Sequence, residues 1–221
     1  MLHSRVEIIL RFFRFGKLPH GFFRLEHDSH VTRCTYLRPF FVRTLFHDLE
    51  TGSDQRADVN FNLEVTAVVV MHGVRRRTVP KLRMFDLHVV KRLSSDIIIL
   101  EKGTNDLTRN GREVVGSEID DFVRFLLDNL TIHGVGVCYV RLRVFSCVTS
   151  ETSFLTRANA LEQYTSAVLG DLPNVFCWLH YPFSSLGKDF YIDDGVHLNS
   201  VGQYQLYRSY RGAILRAIGM L

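Results

Sequence analysis

The sequence is sparing with cysteine: Cys34, Cys138, Cys147 and Cys177 are the four in 221 residues, and no two form a CxxC pair. That spacing argues against zinc, and because Cys138 and Cys177 sit inside apolar runs, where a thiol packs as a small hydrophobe, a reduced intracellular setting is the simpler expectation. Long apolar runs are lacking too. The most apolar early stretch, "VEIILRFFRF", is broken by Glu7, Arg11 and Arg14, so it reads neither as a signal core nor as a transmembrane segment. A cytoplasmic location follows as the expectation, although Arg5, Arg11, Arg14 and Lys17 against a single glutamate also have the composition of a mitochondrial presequence. The excess of one charge is small, with 27 Lys and Arg against 23 Asp and Glu. It is densest at Arg75–Arg77 and in the first 43 residues, and it supports a dedicated nucleic-acid partner only weakly. Finally, the chain has no GxSxG elbow, GxxxxGKS/T loop, GxGxxG fingerprint or HExxH pair, which removes support from several large enzyme classes.

What is present is an alternation. The length suits one domain, expected over 21–221 behind a basic, Phe-rich extension over 1–20. Short β-rich runs at Phe22–Leu25, Val65–Met71, Asp96–Glu101, Val135–Arg141 and Asn174–His180 are the predicted strands. Helical periodicity lies between and beyond them, over roughly 36–50, 78–93, 117–130, 155–169 and 200–219, with Ser117 and Asp120 resembling a capping box. Such alternation implies an α/β fold, a doubly wound three-layer α/β/α sandwich on a mostly parallel five-stranded sheet, flavodoxin-like in type.

In that architecture ligands sit outside the carboxyl ends of the strands. The rule selects His27–His30, His72–Thr78, Lys102–Asp106, "LRVFS" after the fourth strand, and the loop ending in "YIDDGVHLNSVGQ". Two of these carry recognisable chemistry. "ILEKGTND" puts Gly103, Thr104, Asn105 and Asp106 at a strand end. "DDGVHLNSVGQ" puts Asp194 three residues before His197 and just ahead of a helix. A carboxylate at that spacing can accept a hydrogen bond from the Nδ1 side of the imidazole and leave Nε2 as a general base; the plainer alternative is a loop histidine bonded to a turn aspartate. Taken alone, Ser29 reads as a helix N-cap and Asn105 as a turn residue. His27, Asp28 and His30 are too close in sequence to converge on a metal.

In order and spacing these blocks resemble the SGNH (GDSL) hydrolase family over roughly residues 22–215. The family pattern is GDS after strand one, a glycine after strand two, GxND after strand three, and DxxH near the C-terminus. The resemblance implies Ser29 as nucleophile, His197 as base and Asp194 as its orienting acid. It assigns the oxyanion hole to the Asn105 side-chain amide and to the backbone N–H groups of Ser29 and of Arg76, with Asp28, Gly103 and Asp106 in support. No metal or other cofactor is implied, and the expected partner is a small-molecule ester.

Three positions depart from the pattern. His27 replaces the first glycine, Arg76 stands where the oxyanion-hole glycine is expected, with Gly73 three residues early, and Lys102 precedes GTND. A lost donor in that hole costs about 3 kcal/mol of transition-state stabilisation, a hundredfold or more in rate. Two functions therefore follow as expectations. One is a serine esterase, open to impairment by these departures, that hydrolyses a small acyl or acetyl ester through an acyl-serine. The other is a weak or inactive SGNH-fold binding or accessory module, resembling those of mobile elements, with an anionic partner.

Overall fold

A computed structural model of the chain describes residues 5–6, 31–38, 61, 63, 68–73, 78–101, 103–139, 151–183, 188–195 and 197–219. Among them the strands are β1 (Arg5–Val6), β2 (Val31–Arg38), β3 (Val68–Gly73), β4 (Ile97–Glu101), β5 (Gly134–Cys138) and β6 (Val175–Trp178). The helices are α1 (Val79–Phe85), α2 (Leu87–Leu93), α3 (Arg112–Asn129), α4 (Glu151–Leu169) and α5 (Ser200–Ala217). Every described strand pairing is parallel. β2 pairs with β3 on one side and β4 on the other, β4 continues to β5 and β5 to β6, while β1 pairs with Val31 and Thr32 of β2. The α/β class read from the sequence stands.

Strand β4 shows why the sheet forms. "IIILE" is buried at every position, as a central parallel strand covered on both faces must be. Alternation then divides its side chains between two cores. Ile97 and Ile99 join Leu206, Tyr207, Tyr210, Ala213 and Ile214 of α5. Ile98 and Leu100 join Leu82 of α1 and the apolar stripes of α3 and α4, including Phe122, Val123, Leu126, Phe154 and Leu161.

Several boundaries differ from expectation. The strand expected at Phe22–Leu25 lies outside the described residues. Val31–Arg38, whose last three residues fall in the expected 36–50 helix and whose first five carry no assignment, is the strand between β3 and β4; its Val31, Thr32, Thr35 and Tyr36 are good strand formers that Arg33 interrupts. The helix expected over 78–93 is two, parted at the buried Asp86, a residue type whose side chain competes for nearby backbone groups in helix interiors. Helix α3 begins at Arg112 with Gly111 as its N-cap, so Ser117 is an interior residue and caps nothing. Gly116, inside the added length, lies under the Tyr164 ring, where a Cβ would come within 2.3 Å. Among the described residues no helix is long and apolar enough to cross a membrane.

Candidate active site

β4 ends at Glu101, and the chain turns at Gly103, which is buried and adopts a φ of 106°, a conformation that favours glycine. The turn is then closed locally. The Leu107 N–H donates to the Gly103 carbonyl at 2.8 Å, and the N–H groups of Arg109 and Asn110 donate to that of Asp106 at 2.9 and 2.8 Å. Asp106 is itself buried, and its Oδ1 accepts the Val79 N–H at 3.0 Å, tying the turn to the first residue of α1. Asn105 sits half-buried on this turn, its carbonyl accepting the Thr108 hydroxyl at 2.7 Å. Gly103, Asn105 and Asp106 are therefore brought together on one clamped turn, and Asp106 serves it as a strut.

The second element of the site lies between β6 and α5. Tyr191 and Leu198 form an antiparallel bridge, closed further by Ile192 N–H to the His197 carbonyl at 2.9 Å and Asn199 N–H to the Phe190 carbonyl at 3.0 Å. At the tip of this loop Asp194 holds His197 twice. One carboxylate oxygen accepts the His197 backbone N–H at 2.8 Å, and the other pairs with Nδ1 of the ring. The arrangement fits the tautomer with its proton on Nδ1 and leaves Nε2 as the basic nitrogen. Both side chains are about two-fifths exposed, His197 at 40% and Asp194 at 43%, so the base opens onto solvent and a reactant can reach it.

The loop is fixed to helix α5 by Asn199. Its Oδ1 accepts the Gly202 N–H at 2.9 Å as an N-cap, while its Nδ2 donates to the carbonyls of Asp189 at 2.7 Å and Tyr191 at 3.3 Å. Gly202 is required there, since a Cβ would come within 2.2 Å of the Phe190 carbonyl oxygen. Neither residue was singled out in the sequence, although "HLNSVGQ" carries the signal: an asparagine ahead of a helical period, with glycine three residues on.

Of the other expected site residues, Ser29, Asp28, His27, Arg76 and Lys102 lie outside the described residues. In chain order Ser29 comes two residues ahead of β2, whereas the resemblance sets the nucleophile just beyond a strand. Cys177 offers little rivalry as a nucleophile, because burial pushes its thiol up from its ordinary range and keeps it protonated.

In chain order the Asn105 turn follows the carboxyl end of β4 and the His197 loop follows β6, and α/β folds place their ligands beyond the carboxyl ends of the strands. No family model matches the chain, and no curated protein matches it. Solved structures do. A GDSL-like lipase from Bacteroides thetaiotaomicron superposes with a TM-score of 0.63 at 15% identity, over 84% of this chain and 89% of that one. An acetylxylan esterase from Geobacillus stearothermophilus gives 0.59 at 14% identity, over 85% and 94%, and a further acetyl xylan esterase gives 0.55 at 13%, over 82% and 99%. The chain thus has the α/β fold shared by GDSL-like lipases and acetylxylan esterases, the SGNH hydrolase fold.

Proposed function

We propose that the chain is a single-domain serine esterase of the three-layer SGNH type, hydrolysing a small acyl or acetyl ester without a cofactor. His197 Nε2 takes the proton from the Ser29 hydroxyl as Oγ bonds to the ester carbonyl carbon. The carbonyl oxygen becomes an oxyanion, met by the Asn105 side-chain amide and by the backbone N–H groups of Ser29 and Arg76. Collapse breaks the bond to the alcohol, which leaves with the proton that His197 holds, and an acyl-serine remains. Water then attacks the acyl-serine. His197 accepts a proton from it and returns one to Ser29 as the acid departs.

The observation that carries this reading is the double grip of Asp194 on His197, ring and backbone together. A turn aspartate needs only the backbone bond. Holding the ring as well selects a tautomer, which is what a general base requires. Hydrolysis of a short-chain aryl ester, abolished in Ser29→Ala and in His197→Ala, is the expected result; activity unchanged by both substitutions rules the mechanism out.

A second reading, a binding or accessory module with a disabled site and an anionic partner, is favoured by one observation: β2 begins two residues after Ser29, with His27 and Arg76 in place of glycines. It expects no labelling of Ser29 by a fluorophosphonate, and retention on heparin that collapses with modest salt. It also expects no gain in ester turnover from His27→Gly combined with Arg76→Gly.

A further inference from the structure

Strand β4 should be apolar throughout on both faces, yet its last residue is a glutamate. Glu101 falls on the same face as Ile97 and Ile99, toward α5, and is only 2% exposed. A carboxylate is expensive at such a place unless it is hydrogen-bonded. Its Oε2 accepts the hydroxyl of Tyr210 from α5, and lies 3.7 Å from Nε2 of the equally buried His180. His180 stands edge-on to the Tyr210 ring at 5.3 Å. Its Nδ1 is 2.8 Å from Ser209 Oγ, which also accepts the Trp178 indole N–H at 3.1 Å. If Ser209 donates to Nδ1, the proton of His180 rests on Nε2, the side that faces Glu101.

This network joins three elements. β4 contributes Glu101, the segment at the end of β6 contributes Trp178 and His180, and α5 contributes Ser209 and Tyr210. The indole of Trp178 adds a close seat on Gly212 of α5, where a Cβ would meet it at 2.7 Å. Glu101 is two residues from Gly103. Helix α5 runs back from Tyr210 to the Asn199 cap that holds the His197 loop, about 16 Å at the usual helical rise. The two halves of the candidate site are thus linked through this buried polar network, one along β4 and the other through about three turns of α5.

We infer that Glu101 and Tyr210 are positioning residues: their hydrogen bond sets the distance between the Asn105 turn and the His197 loop, and so the alignment of the oxyanion donor with the base. The inference rests on the esterase reading for its catalytic consequence, but the coupling of the two loops is measurable without turnover.

The experiment uses the whole chain. Tyr210→Phe removes one oxygen and keeps the ring, whereas Glu101→Gln keeps an acceptor at the same place. In Tyr210→Phe, backbone amides of residues 103–107 and 198–203 should exchange with solvent about tenfold faster while those of α3 keep their rates, and kcat should fall about tenfold with KM within about twofold. Glu101→Gln should stay near the parent in both measurements. If Tyr210→Phe alone does not fold, the apolar pair Glu101→Leu with Tyr210→Phe fills the gap without an unpaired charge, and the same local exchange and the same kcat loss are expected of it. Unchanged exchange in both loops overturns the inference, as does equal acceleration through α3, which marks a loss of global stability only. A parent chain with no ester turnover sinks the esterase reading alone, since the exchange measurement still decides the coupling.

Discussion

The two faces of the sheet are built from different materials. Beneath α1, α3 and α4 the clustered core is aliphatic and phenylalanine, from Val79 and Leu82 through Ile119, Phe122, Val123 and Leu126 to Phe154 and Leu161, and the buried Asp86, Asp106 and Thr165 on this side are separate polar residues rather than one network. Beneath α5 it mixes apolar residues with Tyr207, Tyr210, Glu101, His180 and Ser209. The helix over this second face is also the one whose first turn holds the His197 loop. An apolar core stabilises without fixing orientation closely, because dispersion and burial are weakly directional. Hydrogen bonds between buried groups fix both distance and angle. The linked network beneath α5 is therefore expected to matter more for position, and the apolar cluster beneath α3 and α4 more for stability.

The sharpest way to break that contrast is a large cavity on the apolar side. Phe122 is 1% exposed in the middle of α3, and Phe122→Ala should lower the unfolding free energy by about 3–5 kcal/mol. Under conditions where the variant remains folded, ester turnover per folded molecule should hardly change. Chemical denaturation with parallel kinetics checks both halves. A large fall in kcat in the folded variant would show that the apolar face also positions the site.

Gly202→Ala applies a smaller perturbation to the opposite face. The new methyl meets a backbone carbonyl, that of Phe190, at 2.2 Å, and a backbone atom cannot swing aside as a side chain can. We expect about 1–3 kcal/mol of lost stability and, unlike Phe122→Ala, a fall in kcat that exceeds what the loss of folded protein explains. The movement falls on the strand of the loop that pairs with Leu198 and Asn199, next to the base.

How far these distinctions were legible in the sequence depended on their range along the chain. Asp194 and His197 are three residues apart and announce themselves by spacing, as do Gly103, Asn105 and Asp106. The apolar runs of β4 and β5 give strands because burial on both faces leaves continuous hydrophobic sequence. β2 carries no assignment over 31–35 and falls in an expected helix from 36 because Arg33 interrupts "VTRCTYLR", and its place in the sheet is set by pairing with residues 68–73 and 97–100, none of them near in sequence. Glu101 reads as the last residue of the strand expected at Asp96–Glu101. Its partner Tyr210 is 109 residues away, and no local pattern marks such a pair.

The smallest effect separates two duties that Asn199 performs at once. Its oxygen caps α5, and its amide nitrogen holds the loop by donating to the carbonyls of Asp189 and Tyr191. Asn199→Ala removes both, at about 1 kcal/mol, the usual worth of an N-cap. Asn199→Asp keeps an acceptor for the Gly202 N–H, and its charge suits a helix N-terminus, but it turns two donated bonds into repulsion between a carboxylate and two carbonyl oxygens. If the nitrogen matters for the site, Asn199→Asp should lower kcat at least as much as Asn199→Ala does. The stability of the helix, read by thermal melting, would need not follow the same order. If the two variants instead rank in activity as they do in stability, Asn199 acts on the site only through the helix, and the amide bonds to the loop carry no separate weight.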